Sequence, residues 1–116
     1  MAQTPERKVK ARVDKILANF NCYVVKPVAG VYGVSGVPDI LVLLNGKFIG
    51  IECKAGRGEP TLLQIRNLKQ IVASGGYSMI INETNLPQLE EVLCKIRDSQ
   101  IPPSMALIAS MRSGVL

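Results

Sequence analysis

Pro38-Asp39-Ile40-Leu41-Val42-Leu43-Leu44-Asn45-Gly46-Lys47-Phe48-Ile49-Gly50-Ile51-Glu52-Cys53-Lys54 consists of two apolar runs joined by an Asn-Gly pair. That pair predicts a two-residue type I′ hairpin, because both turn positions need positive φ and Asn and Gly tolerate it. The turn sets the register. Leu44 should pair with Lys47, and the position numbers of every opposed pair sum to 91, so Leu43 faces Phe48, Leu41 faces Gly50 and Asp39 faces Glu52. Directly opposed side chains share a sheet face with Cβ atoms about 5 Å apart, and like charges so placed repel unless something positive lies between them. A metal ion would meet that need. Alternate residues of a strand share a face, so Lys54 projects with Glu52 while Ile51 and Cys53 point the other way into packing. Two carboxylates and an ammonium therefore converge on one patch.

Outward from the hairpin, the pattern alternates between helix and strand. Thr4 and Pro5 form an N-cap and a first-turn proline, and Val9, Val13, Ile16, Leu17 and Phe20 recur at helical spacing to about Asn21. Lys8, Arg12 and Lys15 line the opposite side as a basic stripe, whereas Glu6, seven residues before Val13, comes round to the apolar side and should look toward the sheet. Cys22 to Lys26 reads as a strand, and Pro27 to Gly36 as a loop broken by Gly30, Gly33 and Gly36. After the hairpin, Ala55 to Glu59 is a second loop. A helix then starts at Pro60 or Thr61 and carries Leu62, Ile65, Leu68, Ile71 and Val72 to a Gly75-Gly76 stop. Tyr77 to Ile81 is a short buried strand, and Asn85 should cap a last helix from Leu86 to about Arg97, with Leu89, Val92, Leu93 and Ile96 inward. The apolar tail from Ser104 to Leu116 fits a helix, an oligomer contact or disorder equally. The expectation is an α/β fold, a mixed central sheet flanked by helices in the order α-β-β-β-α-β-α, forming a single domain over residues 1–116 with its core at about 4–98 and a tail at 99–116.

Composition narrows the chemistry. With 116 residues the chain suits one domain, and 14 Lys and Arg against 9 Asp and Glu give a charge of +5 that suits a polyanionic partner. Arg7, Lys8, Lys10, Arg12 and Lys15 concentrate that charge near the amino end. Cys22, Cys53 and Cys94 are odd in number and widely spaced, which disfavours a disulfide framework or a zinc cluster and fits a reducing cytoplasm. Neither a signal core nor a run of about 20 apolar residues is present, so no membrane role is expected. The chain has no histidine, which excludes His-dependent nucleases, His-metal hydrolases and Ser-His-Asp triads together. Carboxylates and lysine remain. Hard oxygen ligands suit Mg²⁺ or Mn²⁺, an ion that polarises a phosphodiester and offsets charge on the leaving oxygen, with Lys54 adding positive charge near the reacting phosphorus. Phosphodiester hydrolysis is the natural reaction class.

Pro38-Asp39, then Glu52-Cys53-Lys54, then Gln64 on the following helix resemble the PD-(D/E)XK nuclease superfamily. The chain is most similar to its VRR-NUC branch, the virus-type replication-repair nucleases, and more distantly to archaeal Holliday junction resolvases. The match spans roughly Thr4 to Asn82, with Gly33-Val34-Ser35-Gly36-Val37-Pro38-Asp39 and Gly75-Gly76-Tyr77 adding local detail. The resemblance implies a restriction-endonuclease-like fold in which Asp39, Glu52 and the backbone carbonyl of Cys53 ligate Mg²⁺ or Mn²⁺. It further implies that Lys54 positions or activates water, that Gln64 supports the site, and that Glu6 closes it as a further ligand. It also implies branched or structured duplex DNA as substrate, a homodimer, and a bacterial or phage-infected cytoplasm as the setting. Lys26, Ser35 and Arg57 would sit near a phosphate approaching the glycine loop, or the loop is simply flexible. Lys8, Arg12 and Lys15 would form a DNA rail or a solvated helix face. A nickase, a flap nuclease or exonuclease, a restriction-like cutter, a decayed DNA-binding module and a basic partner-binding domain stand as the rival readings.

Overall fold

The computed structural model describes residues 3–28 and 35–109. Its elements run α1 (Pro5–Leu17), β1 (Cys22–Val25), β2 (Ile40–Leu44), β3 (Lys47–Cys53), α2 (Leu62–Ala73), β4 (Tyr77–Ile81), a 3₁₀ turn (Leu86–Gln88), α3 (Leu89–Arg97) and β5 (Met105–Ile108). Gly30, Gly33, Val34 and the 110–116 part of the tail lie outside the described residues.

The five strands form one sheet in the order β1-β2-β3-β4-β5. The first three make an antiparallel meander, and β4 and β5 add parallel to β3 and β4. Parallel addition needs a crossover of a dozen or more residues, which α2 and then α3 supply. In the β2–β3 hairpin, Leu44 pairs with Lys47, Leu43 with Phe48, Leu41 with Gly50 and Ile40 with Ile51. This is the register that sums to 91. Asn45 and Gly46 have φ of 48° and 78°, the pair of positive values a type I′ turn requires.

Strand alternation divides the sheet into two faces. Ile40, Val42 and Leu44 of β2 with Ile49, Ile51 and Cys53 of β3 form one buried core with Val9, Val13 and Leu17 of α1 and Leu89, Leu93 and Ile96 of α3. On the other face Leu68 of α2 packs with Ile80 and Ala109. A Cβ on Gly50 would sit 2.6 Å from Ile71 Cδ1 and 3.1 Å from Pro38 Cγ, so only glycine lets α2 and Pro38 close over β3 there.

Several boundaries differ from expectation for local reasons. Helix α1 stops at Leu17 rather than near Asn21, because the amides of Asn19 and Phe20 turn back to the carbonyls of Ile16 and Leu17 in tight i to i−3 bonds. Asn85 does not cap the last helix. Its side chain accepts from the Asn82 amide and donates to the Ile80 carbonyl, tying the end of β4, and the chain passes through a 3₁₀ turn at Pro87 before α3 begins. The start of the tail is a strand. Met105 and Ile108 of β5 pack with the α2-side cluster, while Ala106 and Leu107 pack with the main core. A register shift against β4 at Ser78/Met79 accompanies that irregular pattern, which hides the strand from a simple period-two reading. No helix among the described residues is long and apolar enough to cross a membrane.

Candidate active site

The site lies where β2 begins and β3 ends. In the hairpin register Pro38 stands opposite Cys53, but proline has no N–H and cannot extend the ladder. The Cys53 amide instead donates to Asp39 Oδ2 at 2.8 Å, which fixes the carboxylate against a core strand. The approach to Pro38 is anchored as well. Asn67 of α2 donates to the Ser35 carbonyl at 3.1 Å, and Gly36, with φ of 78°, packs so closely on Leu63 that a Cβ would lie 2.8 Å from its carbonyl carbon.

Glu52 is only 1% exposed, although it is charged. Its Oε2 lies 3.4 Å from Lys54 Nζ, while its Oε1 is buried with no hydrogen-bond partner. Burial, then the charge of Asp39, push its pKa up to about 7 against the weaker downward pull of Lys54. Buried carboxylate oxygens are ordinarily satisfied, and leaving one bare is costly. A bare buried oxygen beside a second carboxylate is the arrangement that a cation would relieve, so the residues present fit a hard divalent ion.

The remaining charges alternate in sign across the site. Asp39 Oδ1 meets Lys10 Nζ at 3.2 Å, Lys10 reaches Glu6 at 3.8 Å, and Glu6 reaches Lys54 at 4.0 Å. Burial opposes the charge on Lys10, but Asp39 and Glu6 outweigh it, and the net shift of its pKa is upward. Three carboxylates against two ammonium groups leave one net negative charge when all are ionised. Glu6 does face inward, yet its recorded contacts go to the two lysines, and among the described residues no group of three or more His, Cys, Asp or Glu side chains is arranged to hold a metal. An ion there would draw on Asp39 and Glu52 plus backbone oxygen, with water and substrate completing the shell. Cys53 would contribute its backbone only. Its side chain is in the core, where burial pushes the thiol pKa well up and disfavours a thiolate.

Gln64 caps its own helix. Its Oε1 accepts from the Thr61 amide at 2.8 Å, and Thr61 Oγ1 accepts from the Gln64 amide at 3.1 Å, a reciprocal capping box at the start of α2. Among the described residues it makes no hydrogen bond to Asp39, Glu52 or Lys54. Lys8, Arg12 and Lys15 are exposed along α1, and Arg57 and Ser35 are exposed in loops. Lys26 pairs with Asp14 of α1. The loop carrying Arg57 is pinned by Glu83, which accepts from the Gly56 amide at 2.9 Å. Lys10 is the site residue that motif reading missed. Its signal was present, since it stands one helical turn after Glu6 on the inward-turning side.

The mixed five-stranded sheet with helices on both faces is a restriction-endonuclease-like α/β architecture. A solved structure described as a VRR_NUC domain superposes with a TM-score of 0.65 at 22% identity, covering 77% of this chain and 97% of that one. The chain thus has the fold of a VRR-NUC domain. In sequence it is similar to the protein named "Putative nuclease p44" of Acyrthosiphon pisum secondary endosymbiont phage 1, 40% identical over 58 residues that cover 49% of this chain and 62% of the relative. No family model matches the chain.

Proposed function

We propose that this chain is a Mg²⁺- or Mn²⁺-dependent endonuclease that hydrolyses phosphodiester bonds in branched or structured duplex DNA, of the kind formed in replication, recombination or repair. The observation that carries the reading is Glu52, a buried carboxylate with a bare Oε1, set beside Asp39 and paired with Lys54. The VRR-NUC fold and the phage relative whose name says nuclease support it, and that relative also supports a phage-infected bacterial cell as the setting.

Asp39, Glu52 and the Cys53 carbonyl would hold the ion. When bound, it would supply Lewis-acid polarisation of the scissile phosphate and offset charge on the leaving oxygen. The chain's own contribution is positioning and charge. Cys53 N–H orients Asp39, so that carboxylate is preorganised rather than searching rotamers. Lys54 is only 14% exposed, which leaves its ammonium poorly screened and able to stabilise negative charge as a water oxygen bonds to phosphorus and the ester oxygen departs. Glu6 holds both lysines near the acids. Helix α1 carries Glu6 and Lys10 on one side and the exposed Lys8, Arg12 and Lys15 on another, which supports a DNA backbone running along it.

A homodimer accompanies this proposal. Tyr23, Leu43 and Phe48 form one cross-strand row on β1-β2-β3, exposed at 69%, 48% and 44%, and such an apolar row supports self-association. Sedimentation of the wild type against Leu43→Lys tests it, with a monomer expected for the variant.

The activity is tested by incubating a mobile four-way junction and a linear duplex with the protein, in Mn²⁺ or in chelator. Mn²⁺-dependent cutting of the junction is the expected result. Equal cutting of both substrates would remove the preference for branched DNA and leave the nuclease, whereas equal activity of wild type and Asp39→Ala would end the assignment.

A further inference from the structure

The two oxygens of Asp39 have different partners. Oδ2 is fixed by the Cys53 amide at 2.8 Å, a donor belonging to a core strand that cannot move away. Oδ1 meets the Lys10 ammonium at 3.2 Å. If Asp39 takes a cation, Oδ1 is the oxygen with the replaceable partner.

The two lysines of the site also differ. The Lys54 side chain is 14% exposed and sits against a glutamate that is 1% exposed, so leaving would strand a buried charge. The Lys10 side chain is 36% exposed, stands on α1, and has Glu6 within 3.8 Å as an alternative partner. A flexible four-carbon stem with part of its length in solvent can swing its ammonium outward more readily than the Lys54 stem can. A divalent ion and an ammonium sharing one carboxylate oxygen would repel strongly.

We propose that Lys10 is an exchangeable counter-ion of Asp39, occupying the coordinating oxygen until a divalent cation displaces it. The inference rests on the metal-dependent reading above and adds a residue that sets how tightly the ion is held. Lys10 is a positioning residue in this account. It keeps the carboxylate cluster compact before loading and makes loading a cation-for-cation exchange, so the site does not collapse when empty. An ordinary surface ion pair makes a different prediction, since removing it would only loosen Asp39 and weaken metal binding.

The test is Mn²⁺ binding to the full chain without DNA, followed by calorimetry and by loss of the free-ion electron paramagnetic resonance signal. Lys10→Met removes the competitor and should bind Mn²⁺ about tenfold more tightly, equivalent to about 1.4 kcal/mol. Lys10→Arg keeps a cation beside Asp39 and should stay near wild type. Unchanged or weaker binding by Lys10→Met, with a wild-type circular dichroism spectrum, overturns the exchange while leaving the metal reading intact. Failure of the wild type itself to bind Mn²⁺ overturns both. If the methionine variant does not fold, the neutral and polar Lys10→Gln carries the same expectation.

Discussion

At the turn end of the β2–β3 hairpin, Asn45 and Gly46 reverse the chain between Leu44 and Lys47, and the strand beside them buries only apolar side chains against α1 and α3. At the open end, one residue past the last rung on each strand, the same hairpin holds an acidic pair, and one member is sealed from water with a bare oxygen. The first end is specified by local backbone chemistry and leaves no charge buried. The second is held in place by the first, since the register set at the turn is what carries Asp39 to Glu52. Among the described residues Glu52 Oε1 is the one buried side-chain oxygen or nitrogen without a hydrogen-bond partner, and such a group at a strand end is where a bound cation would relieve a cost.

The contrast breaks most decisively through the acids. Asp39→Asn and Lys54→Met should each lower DNA cleavage about a thousandfold, the scale on which preorganised charge acts in a water-poor site, while the circular dichroism spectrum and the hairpin register remain. Cleavage by both variants within a fewfold of wild type would reduce the open end to an ordinary strand terminus.

Stability against pH gives the next largest effect. Glu52 has its folded pKa raised from 4.5 to about 7, so between those values the folded state binds more protons than the unfolded one. Metal-free stability should therefore fall as pH rises through that window, by about 3 kcal/mol in all, and stay at the lower level above it. Glu52→Gln should abolish the slope and be the more stable protein at pH 8 in denaturant titrations without metal. Saturating Mn²⁺ should recover the loss in the wild type and not in the variant. A wild-type profile as flat as that of Glu52→Gln would show that the carboxylate carries no stored cost.

Legibility in the sequence follows the same division. The register was readable because Asn-Gly is a local device whose geometry does not depend on the rest of the fold. The inward turn of Glu6 was readable too, since helical periodicity reports direction. What it meets was not, because Lys10 and Lys54 reach it from different elements. The burial of Glu52 was not readable, because how closely neighbouring elements pack over a strand end is a tertiary distance no periodicity encodes. Strand β5 was hidden because its four residues are divided between two clusters across a register shift. Gln64 is the opposite case. Thr61 and Gln64 carry a capping-box spacing in plain view, and the structure forms that cap from the same side chain that the family pattern assigns to the site.

Smaller effects sharpen the comparison at each end. Gly46→Ala meets no atom within 4 Å, so its whole cost is the positive φ of 78°, about 1 kcal/mol. It should lower the melting temperature and leave Mn²⁺ affinity unchanged, because the remaining rungs of the hairpin still hold Asp39 opposite Glu52. A loss of Mn²⁺ binding in this variant would mean that the turn transmits more to the open end than register.

Gln64 decides whether the site extends onto α2. Gln64→Ala removes the acceptor that the Thr61 amide uses and should cost about 1 kcal/mol of stability. Gln64→Glu keeps that acceptor and adds a charge favourable at a helix amino end, so it should restore the stability. Cleavage should track stability across the two variants if the side chain serves the cap alone. A glutamate variant that is as stable as wild type but cuts DNA poorly would place the amide nitrogen, which has no role in the capping box, at the substrate, and would carry the site across from the hairpin to the helix that closes over it.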